Sequence, residues 1–329
     1  MDFLALLRDE IRAGLRRAPE DYRARHAAWL AAQQRVDGGF PNRRGISELY
    51  YTTFGLRALS CLEALSPERA ARALAFLRAE TAKTRHPFRD AIGAVSWWDA
   101  ARLCEEAGAP APASNERDEA RRRTREGLAA LRRADGGWAK NSMEGNGSLY
   151  HSFLAALACQ RMGEDTPEPA RLEPFLAALA DASGGFRENA YSKRPGTNAT
   201  ASGVALTMLL KARGLTGLLA SWSGLRERLA AWASRDLAPH AAFLASMAGA
   251  EGGFQATPNA PFADLLSTYT GLFSLKNLGR LEAGAFDRAR AYARGLEQDE
   301  GGYVGFLLEQ RADCEYTFYG LGVESLATS

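Results

Sequence analysis

Five acids in this 329-residue chain stand at the starts of apolar stretches: Glu48, Asp90, Asp264, Asp313 and Glu315. A carboxyl there has two uses. It caps the free N–H groups of a helix and complements the helix dipole, or, with a raised pKa, it donates a proton as a general acid. The residue types alone favour capping. Asp264, Asp313 and Glu315 are the candidates for acid–base chemistry, with Tyr316 three residues beyond Asp313. His151 is the one histidine in such a stretch, where it serves as a hydrogen-bonded rim residue more readily than as a base. Cations recur between the stretches at Arg43, Arg44, Lys140, Arg187, Lys193, Arg194 and Arg311. Lys193 and Arg194 are the pair best suited to an anionic head group, and the bland alternative is solvated loop cations. Tyr50, Tyr51, Trp97, Trp98, Tyr150, Phe153, Tyr269, Tyr316, Phe318 and Tyr319 supply aromatic surface, either for core packing or for an apolar ligand.

The elements that must position these residues come from a repeat. Asp37-Gly38-Gly39-Phe40 is written again as Asp135-Gly136-Gly137-Trp138, Ser183-Gly184-Gly185-Phe186, Glu251-Gly252-Gly253-Phe254 and Glu300-Gly301-Gly302-Tyr303. Most intervals are about 49 residues or twice that. The double interval has His86-Pro87-Phe88 at its midpoint, a copy that keeps the break and the aromatic but not the glycines. The long interval carries a surplus over 217–235, read as one inserted helix. Six units result. Each pairs a stretch charged on one face, such as Glu116 to Ala134, with one apolar nearly all round, such as Ser47 to Ala64 or Asp264 to Gly279. Half-wet and fully dry helices in alternation imply an outer and an inner layer. The fold class expected is all-α: an (α/α)6 toroid of six hairpins in a single domain spanning 1–329, led by a helix within 1–20. The glycine pairs are expected to end outer helices in left-handed caps, with the following aromatic plugging the gap between repeats.

Bulk composition narrows the function classes. Lys and Arg number 41 against 39 Asp and Glu, a net charge of +2, which gives no global field for nucleic acid or an anionic membrane. No apolar run approaches the roughly 20 residues of a membrane span. Met1-Asp2-Phe3-Leu4 and the charged residues after it do not read as a secretory leader. Four scattered cysteines with no CxxC pair read as buried free thiols, so a cytoplasmic location is expected.

With its flanking residues the repeat resembles the prenyltransferase and squalene-cyclase family of α/α toroids. The resemblance is carried by Gln34 with Asp37-Gly38-Gly39-Phe40, by Tyr50-Tyr51-Thr52 and Leu56-Arg57-Ala58-Leu59, by Glu251 to Gln255, and by Asp313 through Tyr316-Thr317-Phe318-Tyr319-Gly320-Leu321. It covers nearly the whole chain, whose length suits the β subunit of a protein prenyltransferase. The resemblance implies a site at the rim where inner helices begin, an apolar cavity for an isoprenoid, and a helical-repeat α subunit as partner. In the family's protein transferases an Asp, a Cys two residues later and a His of the last repeat hold zinc. Here the Asp is Asp264, but Leu266 stands at the Cys position and Tyr316 at the His position. One carboxylate does not hold Zn²⁺, so no metal or other cofactor is expected; a shifted set of Asp264, Cys314 and Glu315 is the alternative. The loop Ala256 to Pro261 has no cation where the family binds diphosphate, Gly196 stands near the position of a family His, and the Asp-x-Asp-Asp run of the cyclases is absent. The function expected is therefore that of a divergent relative binding an isoprenoid, lipid or apolar peptide segment. Two alternatives stand beside it: an active prenyl transferase or terpenoid-modifying enzyme with a rearranged site, and a scaffold with no catalysis.

Overall fold

The computed structural model describes residues 2–216 and 233–327. Most of the inserted stretch expected over 217–235 therefore lies outside the described residues. The chain is mostly helical. Helices among the described residues include α1 (Phe3–Leu15), α2 (Glu20–Gln33), α3 (Leu49–Cys61), α4 (Pro67–Ala82), α5 (Ala91–Glu106), α6 (Ser114–Leu131), α7 (Leu149–Met162), α8 (Leu172–Leu179), α9 (Thr197–Thr216), α10 (Ala238–Ser246), α11 (Leu265–Asn277), α12 (Ala285–Arg294) and α13 (Cys314–Ala327). The expected alternation holds. The charged α6 buries one stripe, Ala120, Thr124, Leu128 and Leu131, whereas α5 buries most of its length, including the unbroken run Ala94 to Ala101. Residues fall into two compact units. One, here the terminal unit, comprises Asp2–Leu131, Leu157–Asp165 and Ala293–Ser329; the other, the middle unit, comprises Arg132–Ala156 and Thr166–Tyr292. In the terminal unit α13 packs on α3, and α1 lies against both. Among the described residues no helix is long and apolar enough to cross a membrane.

The first glycine of each pair does adopt left-handed backbone, but the cap expectation is corrected. α2 ends at Gln33, Gln34 is extended, and the pair lies beyond in a tight hairpin. Gly38 N–H donates to Arg35 O at 3.0 Å and Arg35 N–H to Gly39 O at 2.9 Å, with Gly38 at φ +88°. This is a three-residue hairpin loop whose last residue must be left-handed. The same two bonds close around Gly136, Gly184, Gly252 and Gly301. A Cβ on Gly38 would lie 2.0 Å from the Arg72 carbonyl oxygen of α4, and one on Gly39 would meet the Phe76 ring at 2.9 Å. The hairpin is thus pressed onto the next outer helix, and a side chain at either position would separate them.

The next residue of each turn fixes the inner helix. Phe40, Trp138, Phe186, Phe254 and Tyr303 are all buried. The amide of each donates to a hydroxyl one turn into the following inner helix: Thr52, Ser152, Thr200, Thr268 and Thr317, at 2.9–3.1 Å. Each hydroxyl in turn donates to the carbonyl four residues back. Thr52→Val is expected to leave the Phe40 amide buried without an acceptor and to cost about 1–3 kcal/mol in a urea titration. The degenerate copy keeps the aromatic, since Phe88 lies within a short 3-10 turn, Pro87–Arg89, and is fully buried. From Phe254 the chain forms a short antiparallel strand pair, β1 (Phe254–Gln255) with β2 (Ala263–Asp264).

Candidate functional site

In the terminal unit the loop before α3 and the first turn of α3 border an open recess of ≈ 540 Å³ lined by Asn42, Arg43, Arg44, Glu48, Tyr50, Tyr51 and Ile92. The start of α13 is bonded to two of these lining residues, Arg43 and Tyr50. Asp313 is the residue before that helix; its Oδ1 accepts from Tyr316 N–H at 2.8 Å, the capping role expected of it. Its Oδ2 accepts from Arg43 Nε at 3.0 Å, and Arg43 Nη1 reaches Glu309 Oε1 at 2.8 Å. The Arg43 guanidinium also lies over the Tyr316 ring, 5.0 Å from its centre. Gly305 makes room for this ring, because a Cβ there would be 2.3 Å from it. Two residues after Asp313, Glu315 Oε1 accepts from Tyr50 Oη at 2.7 Å. Tyr50 stacks edge-on against Tyr51 and Phe54, and Phe54 against Phe318.

The electrostatics separate the two carboxyls. Burial pushes Glu315 up to about 7, helped by neighbouring Asp313 and opposed by the Tyr50 hydroxyl and Arg43. Asp313 is also raised by burial, but the Tyr316 amide and Arg43 hold it back. Burial raises Tyr51 and Tyr316 to about 12, so both stay neutral phenols. Glu315 therefore changes charge near neutral pH while Asp313 is bound to a guanidinium. That is the pattern of an acid and its charged neighbour whose environments drive them apart. Arg43 is committed to Asp313 and Glu309 and does not stand ready for a diphosphate; Arg44 is exposed.

Of the other expected residues, Trp97, Trp98 and Phe318 are buried core in the terminal unit. Trp98 Nε1 donates to Thr124 Oγ1 of α6 at 3.0 Å, tying inner helix to outer. In the middle unit Asp264 is a cap: Oδ1 accepts from Ser267 N–H at 2.7 Å and Oδ2 from Ser267 Oγ at 2.8 Å. Tyr269 is buried, Tyr150 and Phe153 are half-buried, and Lys193 and Arg194 are exposed on the loop before α9. His151 is a buried residue hydrogen-bonded to Ser148. Asp90 caps α5 as expected, whereas Glu48 makes no side-chain cap and instead accepts from Asn42 Nδ2 at 2.8 Å.

The zinc that the resemblance implies does not fit the residues present. Asp264 has both oxygens on Ser267, and the Cys314 thiol is buried and driven up by desolvation, the opposite of a thiolate ligand. Among the described residues no group of three His, Cys, Asp or Glu is arranged to hold a metal ion. All four cysteines are buried and none is in a disulfide.

Two acids absent from the sequence reading join these side chains: Glu309, bonded to Arg43, and Glu188, bonded to the Ser148 hydroxyl beside His151. Glu309 lies in a loop beside exposed Leu307 and Leu308 with nothing to mark it. Glu188 does carry a signal: two places after the turn aromatic the copies read Asn42, Lys140, Glu188, Ala256 and Gly305, and only the third is acidic.

Solved structures similar to this chain include Candida albicans protein geranylgeranyltransferase-I complexed with GGPP, at TM-score 0.65 and 12% identity, covering 91% of this chain and 89% of that one. A type II terpene cyclase from Scytonema in complex with geranylgeranyl dihydroxybenzoate matches at TM-score 0.54 and 15% identity over 99% and 98%. A glycosidase in complex with glucose matches at TM-score 0.53 and 13% identity over 98% and 96%. At such identities the likeness is one of fold, and neighbours that hold isoprenoids and a sugar show that this fold does not fix a reaction. No curated protein matches the sequence. The family described as the prenyltransferase alpha-alpha toroid domain matches residues 4–98 and 148–328, most of the chain, and the protein belongs to it.

Proposed function

We propose that this toroid binds an isoprenoid or similar apolar chain at the recess beside α3, without zinc and without the diphosphate clamp of the transferases. The observation that carries this reading is the Tyr50–Glu315 pair at the recess edge. A carboxyl that becomes neutral near pH 7 can be covered by an apolar guest, where a fixed carboxylate would have to be desolvated. Tyr51 and Ile92 supply apolar wall, and the solved relatives that hold geranylgeranyl compounds support the ligand class. Because the recess lies within one unit of this chain, binding is expected of the isolated protein, with no helical-repeat partner added.

Titration calorimetry with geranylgeraniol and geranylgeranyl diphosphate tests the proposal, alongside metal analysis of the purified protein. The alcohol is expected to bind at least as tightly as the diphosphate, and Tyr51→Ala to weaken it by about tenfold, the loss of one aromatic contact of 1–1.5 kcal/mol. Stoichiometric zinc, or binding of the diphosphate alone, contradicts it.

Glu315 also favours a second reading, that of a terpenoid-modifying enzyme. A half-buried carboxylic acid, hydrogen-bonded by a phenol and facing an apolar guest, is equipped to donate its proton to an alkene. Product formation from a polyprenol, lost in Glu315→Gln, distinguishes this enzyme from a binding protein.

A further inference from the structure

The middle unit holds a second polar cluster that the recess does not use. Glu188 sits on the N-terminus of α7: its carbonyl accepts from Leu149 N–H at 2.8 Å, and its Oε1 accepts from Tyr150 N–H at 3.3 Å and from the Ser148 hydroxyl. Ser148 Oγ is also 2.7 Å from His151 Nδ1 and accepts from His151 N–H at 3.2 Å. His151 is only 6% exposed, and its Nε2 is buried with no hydrogen-bond partner. A buried ring nitrogen without a partner is expensive unless a bound molecule completes it.

Proton counting assigns that nitrogen. The Ser148 hydroxyl has one hydrogen. When it goes to the Glu188 carboxylate, Ser148 can only accept from His151, so Nδ1 carries the ring proton and Nε2 keeps a lone pair. We propose that Glu188, Ser148 and His151 form a relay that presents His151 Nε2 as the acceptor for a hydroxyl group of a bound ligand. A phosphate or carboxylate, being an acceptor itself, would be repelled by that lone pair. A metal ion would lack companions, since no cluster of three ligating residues is present among the described residues. The charged groups facing the histidine are Lys140 and Glu144 of the loop before α7, and Glu144 faces Glu188 as well. Burial, with Lys140 adding to it, drives His151 down to about 4, which keeps the ring neutral in ordinary buffers. Burial raises Glu188, against the two hydrogen bonds to its Oε1.

Nitrogen-15 NMR of protein labelled at histidine reads the relay directly, since the chain has only 4 histidines. His151 is assigned by its loss in His151→Gln or, should that variant not fold, by its shift in Glu188→Gln. At pH 8 the ring is expected as the Nδ1–H tautomer. Lowering the pH through the Glu188 titration should invert the relay and place the proton on Nε2. Glu188→Gln, whose amide oxygen takes the Oε1 place, should hold the Nδ1–H form throughout. An Nε2–H or charged ring at pH 8 overturns the relay. Farnesol and farnesyl methyl ether then test the ligand. The Nε2 resonance is expected to move with the alcohol and not with the ether; no movement, or equal movement with both, overturns the hydroxyl assignment. The probe's apolar chain rests on the proposed ligand class, but the tautomer result does not, so the two can fail separately.

Discussion

Asp99→Ala is expected to destabilise the protein by about 3–5 kcal/mol in denaturant titration, the cost of breaking a buried ion pair from one side. Asp99 is fully buried on α5 and pairs with two arginines, Arg57 of α3 at 2.6 Å and Arg161 of α7. Arg161 is itself almost wholly buried and also reaches Asp2, just before α1, at 2.6 Å. Arg57 lies over the rings of Phe54 and Phe318, at 5.1 and 5.3 Å. Removing the carboxylate leaves two guanidiniums facing each other with little water to screen them. Burial acts to raise Asp99, but Arg57 and Arg161 outweigh it and hold the native carboxyl below its usual range. The sign follows from that depression. The stabilisation is complete above the unfolded value of about 4 and is lost as pH falls through the lower native value. In Asp99→Ala this portion of the acid destabilisation should disappear, which equilibrium unfolding at several pH values will show. Replacing all three residues with well-packed apolar ones should instead recover most of the loss.

Gly38→Ala is expected to be of similar size, about 3 kcal/mol or more, with Gly163→Ala as its control. Both glycines are left-handed, at φ +88° and +75°. An alanine Cβ at position 38 would fall 2.0 Å from the Arg72 carbonyl oxygen, whereas at 163 nothing lies within 4 Å. The control should therefore show only the backbone preference, about 1–2 kcal/mol. The difference measures how hard each hairpin is pressed onto the next outer helix. Equal losses in the two variants would mean that only backbone conformation selects glycine in the repeat.

These two sites also show what sequence can and cannot reveal. The turn was legible because it is written five times, and its aromatic because Phe88 persists where the glycines do not. Its exact place was not: a left-handed glycine serves a helix cap or a hairpin equally well, and only the bonds between Arg35 and Gly39 decide. The acids at helix starts were legible as caps at Asp90, Asp264 and Asp313, where a short side chain reaches the N–H two or three residues on. The longer side chain of Glu48 turns to Asn42 instead. Arg57 and Arg161 offered a sign that periodicity overlooks, since each is the one charge on its helix, and such charges must find a partner, here Asp99. Glu315 could be named from its position but not understood from it. Its altered titration depends on burial and on Tyr50, 265 positions away in the chain.

The proposed binding requires Glu315 to be neutral when an apolar chain settles over it, and the pH dependence of geranylgeraniol binding reads that requirement. If the bound state holds the proton, affinity is constant below about pH 7 and falls by up to tenfold per pH unit above it, while Glu315→Gln binds with no such fall. An affinity that is flat from pH 6 to 9 in the unmodified protein, or one that rises with pH, would contradict the account.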